Sequence, residues 1–220
     1  VQELLDYGLY GWALSRYSGT WVGLKCMKDT IDASATVDVG DDRVQVVQPS
    51  EFEMPEGGLS LRFPDPPLDQ EERLHKYKLE AVKAFVRANG IDRVELQGGN
   101  DVLGIITCGK SYLDVRQALH YLGIDDQRAK KLGLSVYKVG MTWPLEPIGI
   151  SQFAKGLKKI LVVEEKRALL EPQVKDILYS LEQRPIVVGK KNEQGTELLR
   201  SNAALEPNEI AIAIAERILE

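Results

Sequence analysis

Short aliphatic runs alternate with amphipathic stretches through the second half of the chain. Each run is rich in Val and Ile and ends at turn residues, a pattern typical of buried β-strands. The predicted strands are IDRVEL, VLGIITCG, LSVYKVGM, KILVVEE and RPIVVGK. Apolar positions three and four residues apart follow the second and fourth runs and predict helices near residues 115–122 and 174–181. This alternation, over about residues 100–190, predicts an α/β fold with a mostly parallel sheet and helices on both faces.

The start of the chain has a different pattern. Leu5, Leu9 and Trp12 share one face of a predicted helix over residues 2–16, and RYSGTWVGLKCM predicts a strand after it. One helix and one strand cannot bury their apolar faces alone. We therefore interpret this part as a helix–strand fragment and expect the apolar face of the helix to pack against the rest of the protein or a second copy.

Proline and glycine punctuate residues 39–68, a composition that sustains neither a helix nor a central strand. We predict an extended, Pro-rich linker there. Asp69, with Glu72 three residues later, resembles a capping box and predicts the start of the next helix. Isoleucines spaced by four residues predict a last helix over residues 208–220.

Composition narrows the class of protein. A net charge of −5 and a pI near 5.3 argue against a nucleic-acid partner or an anionic membrane surface. The two cysteines, Cys26 and Cys108, are far apart, so a disulfide framework, a zinc site or an iron–sulfur site within this chain is not expected. No run reaches the roughly 18 apolar residues of a membrane span, and the N-terminus lacks a signal-peptide pattern. These features indicate a cytoplasmic protein.

Residues 104–111, GIITCGKS, match the phosphate-loop pattern GxxxxGK[ST]. In a phosphate loop the four residues after the first glycine wrap a phosphate, whereas here they are β-prone and look like the strand itself. We predict a strand over 103–108, a turn at Gly109 and Lys110, and a helix capped by Ser111 with Asp114 at its third position. Lys110 and Ser111 remain candidates for an anion site at that helix N-terminus.

The strand in KILVVEEKRALLEPQV ends in charged residues, which raises the question of a catalytic carboxylate. Alternation along the strand places Glu164 and Glu165 on opposite faces. We expect one of them to cap the following turn and pair with a neighbouring basic residue. We therefore treat Glu164, Glu165 and Arg167, together with Trp143 at the end of another strand, as interface candidates, and name no catalytic and no metal-binding residue.

Five long segments carry a resemblance to a known family: LDYGLYGWALSRYSGTWVGLKCM, GGLSLRFPD, LGIITCGKSYLDVRQALHYLGI, KVGMTWPLEP and ILVVEEKRALLEPQVKDILY. They resemble the middle of the long single-chain form of indolepyruvate:ferredoxin oxidoreductase. The resemblance implies a thiamine-diphosphate enzyme that oxidatively decarboxylates arylpyruvates such as indolepyruvate. Such enzymes pass electrons through an iron–sulfur cluster to ferredoxin and the acyl group to coenzyme A. It also implies a homodimer.

The same resemblance implies a division of the chain. Residues 1–38 would be the tail of a pyrimidine-type thiamine-binding domain, and residues 39–68 the linker. Residues 69–190 would form a transketolase C-terminal-like domain, with its sheet within residues 91–190. Residues 191–220 would be a C-terminal extension with a helix.

The resemblance also implies that key motifs lie outside this sequence. The glutamate that activates the cofactor would precede Val1, and the GDG…N motif for pyrophosphate and Mg²⁺ and the cluster cysteines would follow Glu220. Because the cofactor performs the difficult chemistry, we expect this chain alone to be inert and to need the remaining domains as partners. Two alternatives stay open: a nucleotide-binding enzyme that uses residues 104–111, and a non-catalytic module that binds an anion such as part of coenzyme A.

Overall fold

The computed structural model describes residues 1–99 and 102–219, with the backbone alone at Asp29. The chain forms two compact units, Val1–Gly90 and Ile91–Glu220. Within the described ranges, none of the helices has both the length and the apolar character that crossing a membrane requires.

The first unit consists of helices and an extended segment. Its helices are α1 (Gln2–Ser18), α2 (Lys28–Ile31), α3 (Pro67–Arg73) and α4 (Leu79–Ala88), with a π-helical turn, Leu74–Lys78, between the last two. The ring of Tyr17 in α1 contacts Phe52 and Phe85, at centroid distances of 6.4 and 5.7 Å. Gly19 ends α1 at a φ of 64°, and a Cβ there would lie 2.3 Å from the Leu59 carbonyl oxygen, so only glycine fits.

The structure corrects two predictions in this unit. The strand predicted in RYSGTWVGLKCM is absent, because residues 19–27 have no neighbouring strand and are held locally, with the Ser15 hydroxyl donating to the Thr20 carbonyl at 2.7 Å. The capping box at Asp69 is also wrong. The helix begins two residues earlier, at Pro67, a residue that loses nothing by lacking an N–H in a first turn.

The apolar face predicted for α1 is only partly covered in this chain. Leu14 is buried, whereas Leu5, Leu9 and Trp12 expose 41, 47 and 71% of their surface. Burial of this face within the chain is therefore not observed, and the alternative partner, a second copy, stays a prediction.

The second unit contains the predicted sheet. Its strands are β1 (Arg93–Leu96), β2 (Leu103–Cys108), β3 (Leu134–Val139), β4 (Lys159–Val163) and β5 (Ile186–Val188). They are arranged in the order β1-β3-β2-β4-β5; β1 runs antiparallel to β3, and all other neighbours are parallel. All five predicted strands and the mostly parallel sheet are confirmed.

Helices cover both faces of this sheet, as predicted. They are α5 (Gly109–Tyr121), α6 (Asp126–Leu132), α7 (Pro147–Ala154), α8 (Leu170–Leu178) and α9 (Pro207–Leu219). Successive strand residues point to opposite faces of the sheet and pack into two separate hydrophobic cores. Ile105 belongs to the core under α5, α6 and α9, and Ile106 to the core under α7 and α8. Helix α9 confirms the last predicted helix, whose final residue, Glu220, lies outside the described residues.

The junction between β2 and α5 differs from the prediction. Helix α5 begins directly at Gly109, without a separate turn, and Ser111 is buried inside its first turn instead of capping it. Gly109 adopts a φ of 52°, which is accessible to glycine at little cost and lets the chain change direction within one residue. The predicted cap by Ser111 and Asp114 is therefore wrong.

Candidate functional site

The strand order identifies one edge of the sheet as the candidate site. The chain passes from β2 to β3 on one side and then to β4 on the other, so the connections diverge between β2 and β4. In open α/β sheets, ligands bind at the carboxyl ends of the strands at such a switch point. Lys110 and Ser111 follow β2, and Glu164 and Glu165 follow β4. Two groups of residues that were candidates for separate reasons in the sequence therefore lie together at the carboxyl ends of the strands, which we call the carboxyl edge of the sheet.

Lys110 lies in this edge between two carboxylates. Its Nζ is 2.9 Å from Asp114 Oδ2 and 3.4 Å from Glu165 Oε1. Burial opposes the charge of Lys110, but the hydrogen bonds and charges of Asp114 and Glu165 prevail and raise its pKa. Burial raises the pKa of Asp114, and the bond from Lys110 only partly offsets this. An anion at Lys110 would have to compete with both carboxylates.

Glu164 is buried, with 4% of its surface exposed. Its Oε2 accepts hydrogen bonds from the backbone N–H groups of Leu169 and Leu170, each at 2.8 Å, and its Oε1 accepts one from Glu171 at 3.0 Å. These donors belong to the start of α8, where backbone N–H groups have no partner within the helix. Glu164 is thus the capping residue that the sequence predicted, although its partners are backbone groups and not a basic side chain.

The segment that matches the phosphate-loop pattern is a central strand. Gly104 to Thr107 pair with β3 on one side and β4 on the other. Their N–H groups point along the ladder and not towards a common centre, as a phosphate cradle requires. The predicted strand over 103–108 is confirmed, and Gly104 serves packing, because a Cβ there would lie 2.5 Å from Leu157 Cδ1.

Asp92 is a residue of this edge that sequence reasoning missed. It directly precedes β1, and because β1 is antiparallel to β3, it lies beside the carboxyl end of β3. Its Oδ1 accepts from the backbone N–H groups of Gly140 at 2.7 Å and Met141 at 2.9 Å. Burial raises the pKa of Asp92 to about 6, despite these hydrogen bonds. An aspartate before a strand was the only signal in the sequence, and the direction of β1 was not visible there.

The loop of residues 140–146, between β3 and α7, is held from several directions. Besides Asp92, the side chain of Gln173 accepts from Leu145 N and donates to the Thr142 carbonyl, both at 3.0 Å. Glu146 accepts from two N–H groups in the first turn of α7 and so caps that helix. Trp143 sits in the middle of this braced loop with 61% of its surface exposed.

Reactive side chains at the edge are kept neutral. Burial, followed by the charges of Glu164 and Asp92, raises the pKa of the Cys108 thiol to about 11. Burial also raises the pKa of Tyr137, and Asp92 and Glu146 add to the effect. Because the thiolate is the nucleophilic form of cysteine, Cys108 is poorly placed for covalent chemistry.

The remaining candidates lie around these groups. Glu165 is half-buried and contacts Lys110, whereas Arg167 is exposed in the connection that leads to α8. Across residues 1–99 and 102–219, no three His, Cys, Asp or Glu side chains group in a way that could hold a metal ion. Most carboxylates of this edge are engaged in capping backbone groups or in ion pairs, so the arrangement is suited to holding loops in place.

Fold and edge geometry together define an α/β protein with a mostly parallel sheet and a structured carboxyl edge. A family model described as the indolepyruvate oxidoreductase domain matches residues 94–220. The chain therefore belongs to the indolepyruvate oxidoreductase family, which confirms the resemblance seen in the sequence.

Several curated relatives share the name indolepyruvate oxidoreductase subunit IorA. The protein of Pyrococcus abyssi is 35% identical over 117 residues, which cover 52% of this chain and 17% of that protein. The protein of Pyrococcus horikoshii is 28% identical over 181 residues, covering 80% and 26%. That of Methanothermobacter thermautotrophicus is 28% identical over 179 residues, covering 79% and 26%. This chain thus spans about a sixth to a quarter of the length of the curated relatives it matches.

Two solved structures are also similar. One is a 2-oxoglutarate:ferredoxin oxidoreductase from Magnetococcus marinus, with a TM-score of 0.46, 21% identity, and coverage of 76% of this chain and 26% of that chain. The other is a split gene transketolase in an inactive β4 tetramer, with a TM-score of 0.40, 18% identity, and coverage of 58% and 41%.

Proposed function

We propose that this chain is part of an enzyme that oxidatively decarboxylates arylpyruvates such as indolepyruvate, with ferredoxin as electron acceptor and coenzyme A as acyl acceptor. The family match over residues 94–220 supports this proposal, as do the names of the curated relatives. The whole enzyme would be a cytoplasmic homodimer, and the other domains of the protein would be the direct partners of this chain.

Within that enzyme, we propose an accessory, non-catalytic role for this region. The observation that carries it is the use of Glu164, whose two oxygens are both occupied by backbone N–H groups of α8. Lys110 is likewise held by Asp114 and Glu165. A residue whose proton-accepting atoms are all engaged in the fold is poorly suited to general base catalysis. Trp143 and Arg167 would then contact neighbouring domains.

The boundaries given by the resemblance belong to the same proposal. Residues 1–38 would complete a pyrimidine-type thiamine-binding domain, 39–68 would link it to a transketolase C-terminal-like domain over 69–190, and 191–220 would extend that domain. The observed division between Val1–Gly90 and Ile91–Glu220 places the helices of residues 67–88 in the first unit.

The cysteines of this chain do not fit the iron–sulfur cluster of such an enzyme. An iron–sulfur cluster is typically held by four cysteine thiolates, whereas this sequence has two cysteines, Cys26 and Cys108. Cys108 is also held as a neutral thiol by its raised pKa, which is about 11. The cluster would therefore be held by other parts of the protein, and we propose the same for thiamine diphosphate and Mg²⁺. Thiamine diphosphate supplies the carbanion-stabilising chemistry when bound.

An anaerobic assay of the whole protein tests the proposal. Reduction of ferredoxin, or of methyl viologen in its place, is followed with coenzyme A and either indolepyruvate, phenylpyruvate, pyruvate or 2-oxoglutarate. We expect rapid reduction with the two arylpyruvates and slow reduction with the others. The 220-residue chain alone should give no reduction with any of them. A preference for 2-oxoglutarate would contradict the substrate class, and turnover by the isolated chain would contradict the accessory role.

A further inference from the structure

The loop of residues 140–146 depends on a charged side chain from outside the loop. Asp92 binds Gly140 and Met141 through one oxygen, Oδ1, at 2.7 and 2.9 Å. Its other oxygen, Oδ2, is buried and has no hydrogen-bond partner within the described residues. The carboxylate therefore depends on two loop N–H groups for the hydrogen bonds that water would otherwise supply.

The surroundings of Asp92 do little to favour its charge. The groups that face it are Arg93 on β1, Cys108 at the end of β2, Tyr137 on β3 and Glu146 at the start of α7. Arg93 favours the carboxylate and Glu146 opposes it, while the thiol and the phenol are neutral. Burial is the largest influence and raises the pKa of Asp92 to about 6.

We propose that Asp92 is a proton-controlled clamp on the loop of residues 140–146, which holds Trp143 in place when ionised and loosens when protonated. The physical reason is that hydrogen bonds to a carboxylate are about twice as strong as those to a neutral carboxyl group. Protonation leaves Asp92 in place but weakens both bonds to the loop. The hydroxyl formed on Oδ2 meets no acceptor within the described residues.

This clamp has a signature that a simple packing role lacks. The folded protein binds the proton more tightly than the unfolded chain, because the pKa of Asp92 is raised from 3.8 to about 6. The contribution of Asp92 to folding stability is thus fully present below pH 3.8 and is lost as the pH rises through 6. Lowering the pH from 7.5 to 5 should strengthen the fold while it loosens the loop.

Hydrogen exchange of the whole protein, followed by mass spectrometry between pH 7.5 and 5 and corrected for intrinsic rates, tests the proposal. We expect protection in the peptide that contains Gly140 and Met141 to fall by roughly fivefold or more, with a midpoint near pH 6. Protection in the peptide that contains β2 should hold or rise over the same range. The wild-type protein is enough for this test. The proposal is overturned if protection of the loop does not change with pH, or if it changes in parallel with protection of β2.

Two variants identify the titrating group. In Asp92→Asn the loop should show the low-pH level of protection at every pH. Asp125→Asn is the control, because Asp125 also accepts a backbone N–H, from Arg128 at 2.8 Å, but is exposed and caps α6. This control should keep the midpoint near pH 6. A pH response that survives in Asp92→Asn, or disappears in Asp125→Asn, contradicts the proposal.

Discussion

Glu164 and Glu165 are adjacent, and replacing each with alanine separates a structural carboxylate from a peripheral one. Glu164→Ala leaves three N–H groups at the start of α8 without their acceptor. Two of these belong to Leu170 and Glu171, which are 0% and 6% exposed, so water cannot readily replace the carboxylate. Loss of a helix cap costs about 0.5–2 kcal/mol, and leaving buried donors unsatisfied costs about 1–3 kcal/mol each.

These contributions overlap, so we expect Glu164→Ala to lower the free energy of unfolding by about 3–5 kcal/mol. Glu165→Ala removes only contacts at 3.4 Å, to Lys110 Nζ and to Leu205 N, from a half-buried side chain. It should cost about 1 kcal/mol or less. For a protein of this size, the larger loss corresponds to a fall in Tm of about 6–20 °C.

Urea unfolding followed by tryptophan fluorescence gives the measurement. The chain has three tryptophans, and Trp12→Phe with Trp21→Phe leaves Trp143 as the only reporter, located in the second unit. The slope of the transition should be the same in both alanine variants, so that a shift of the midpoint reports stability alone. Equal midpoint shifts for Glu164→Ala and Glu165→Ala would refute the capping argument. A stable Glu164→Ala that abolishes activity of the whole enzyme would restore the catalytic interpretation.

Three further predictions follow from the second unit. Asp92→Asn should raise the free energy of unfolding at pH 7 by about 1–3 kcal/mol, since it removes a carboxylate whose pKa is raised from 3.8 to about 6. In urea unfolding at pH 5 the gain should be about half as large, and a gain of the same size at both pH values would contradict the raised pKa. Gly104→Ala should lower the free energy of unfolding by about 1–3 kcal/mol, because the new Cβ would lie 2.5 Å from Leu157 Cδ1. An unchanged free energy of unfolding would show that β2 can shift to make room. In thermal melts with Mg²⁺ and millimolar ATP, or with millimolar thiamine diphosphate, the Tm should change by no more than about a degree. A ligand present at a hundred times its Kd would instead add about 2.7 kcal/mol to the free energy of unfolding. An ATP-dependent rise in Tm that Lys110→Ala removes would restore the phosphate-loop alternative.

The strands were predictable because their signal is local. Each Val- and Ile-rich run is bounded by turn residues. Because helices cover both faces of the sheet, its strands do not need to alternate between apolar and polar residues. The helices that escaped prediction lack a comparable signal. Helix α6, DQRAKKL, is seven residues long and buries only Ala129, so it has no apolar period. Helix α7 is eight residues long and is started by the Glu146 side chain and Pro147.

The site was less predictable than the fold. Glu164 could be interpreted as a cap because its partners, Leu169 to Glu171, lie five to seven residues away in the sequence. Asp92 could not be recognised, because its partners Gly140 and Met141 are 48 and 49 residues away. Their meeting depends on β1 being antiparallel to β3. Strand direction is a property of the whole topology and leaves no mark in a four-residue run.

The two outer strands have a consequence for how copies of this unit can associate. A long exposed edge strand invites another chain to extend the sheet. Here β1 has four residues and an Arg93–Glu95 ion pair at 2.7 Å, while β5 has three residues and leads into a short bridge between Lys191 and Glu197. Both outer strands, β1 and β5, are therefore poor templates for the addition of a strand from another chain. Pairing of two such units is therefore favoured through helix faces or the loops at the strand ends, and pairing of that kind leaves the hydrogen-bonded sheet unchanged.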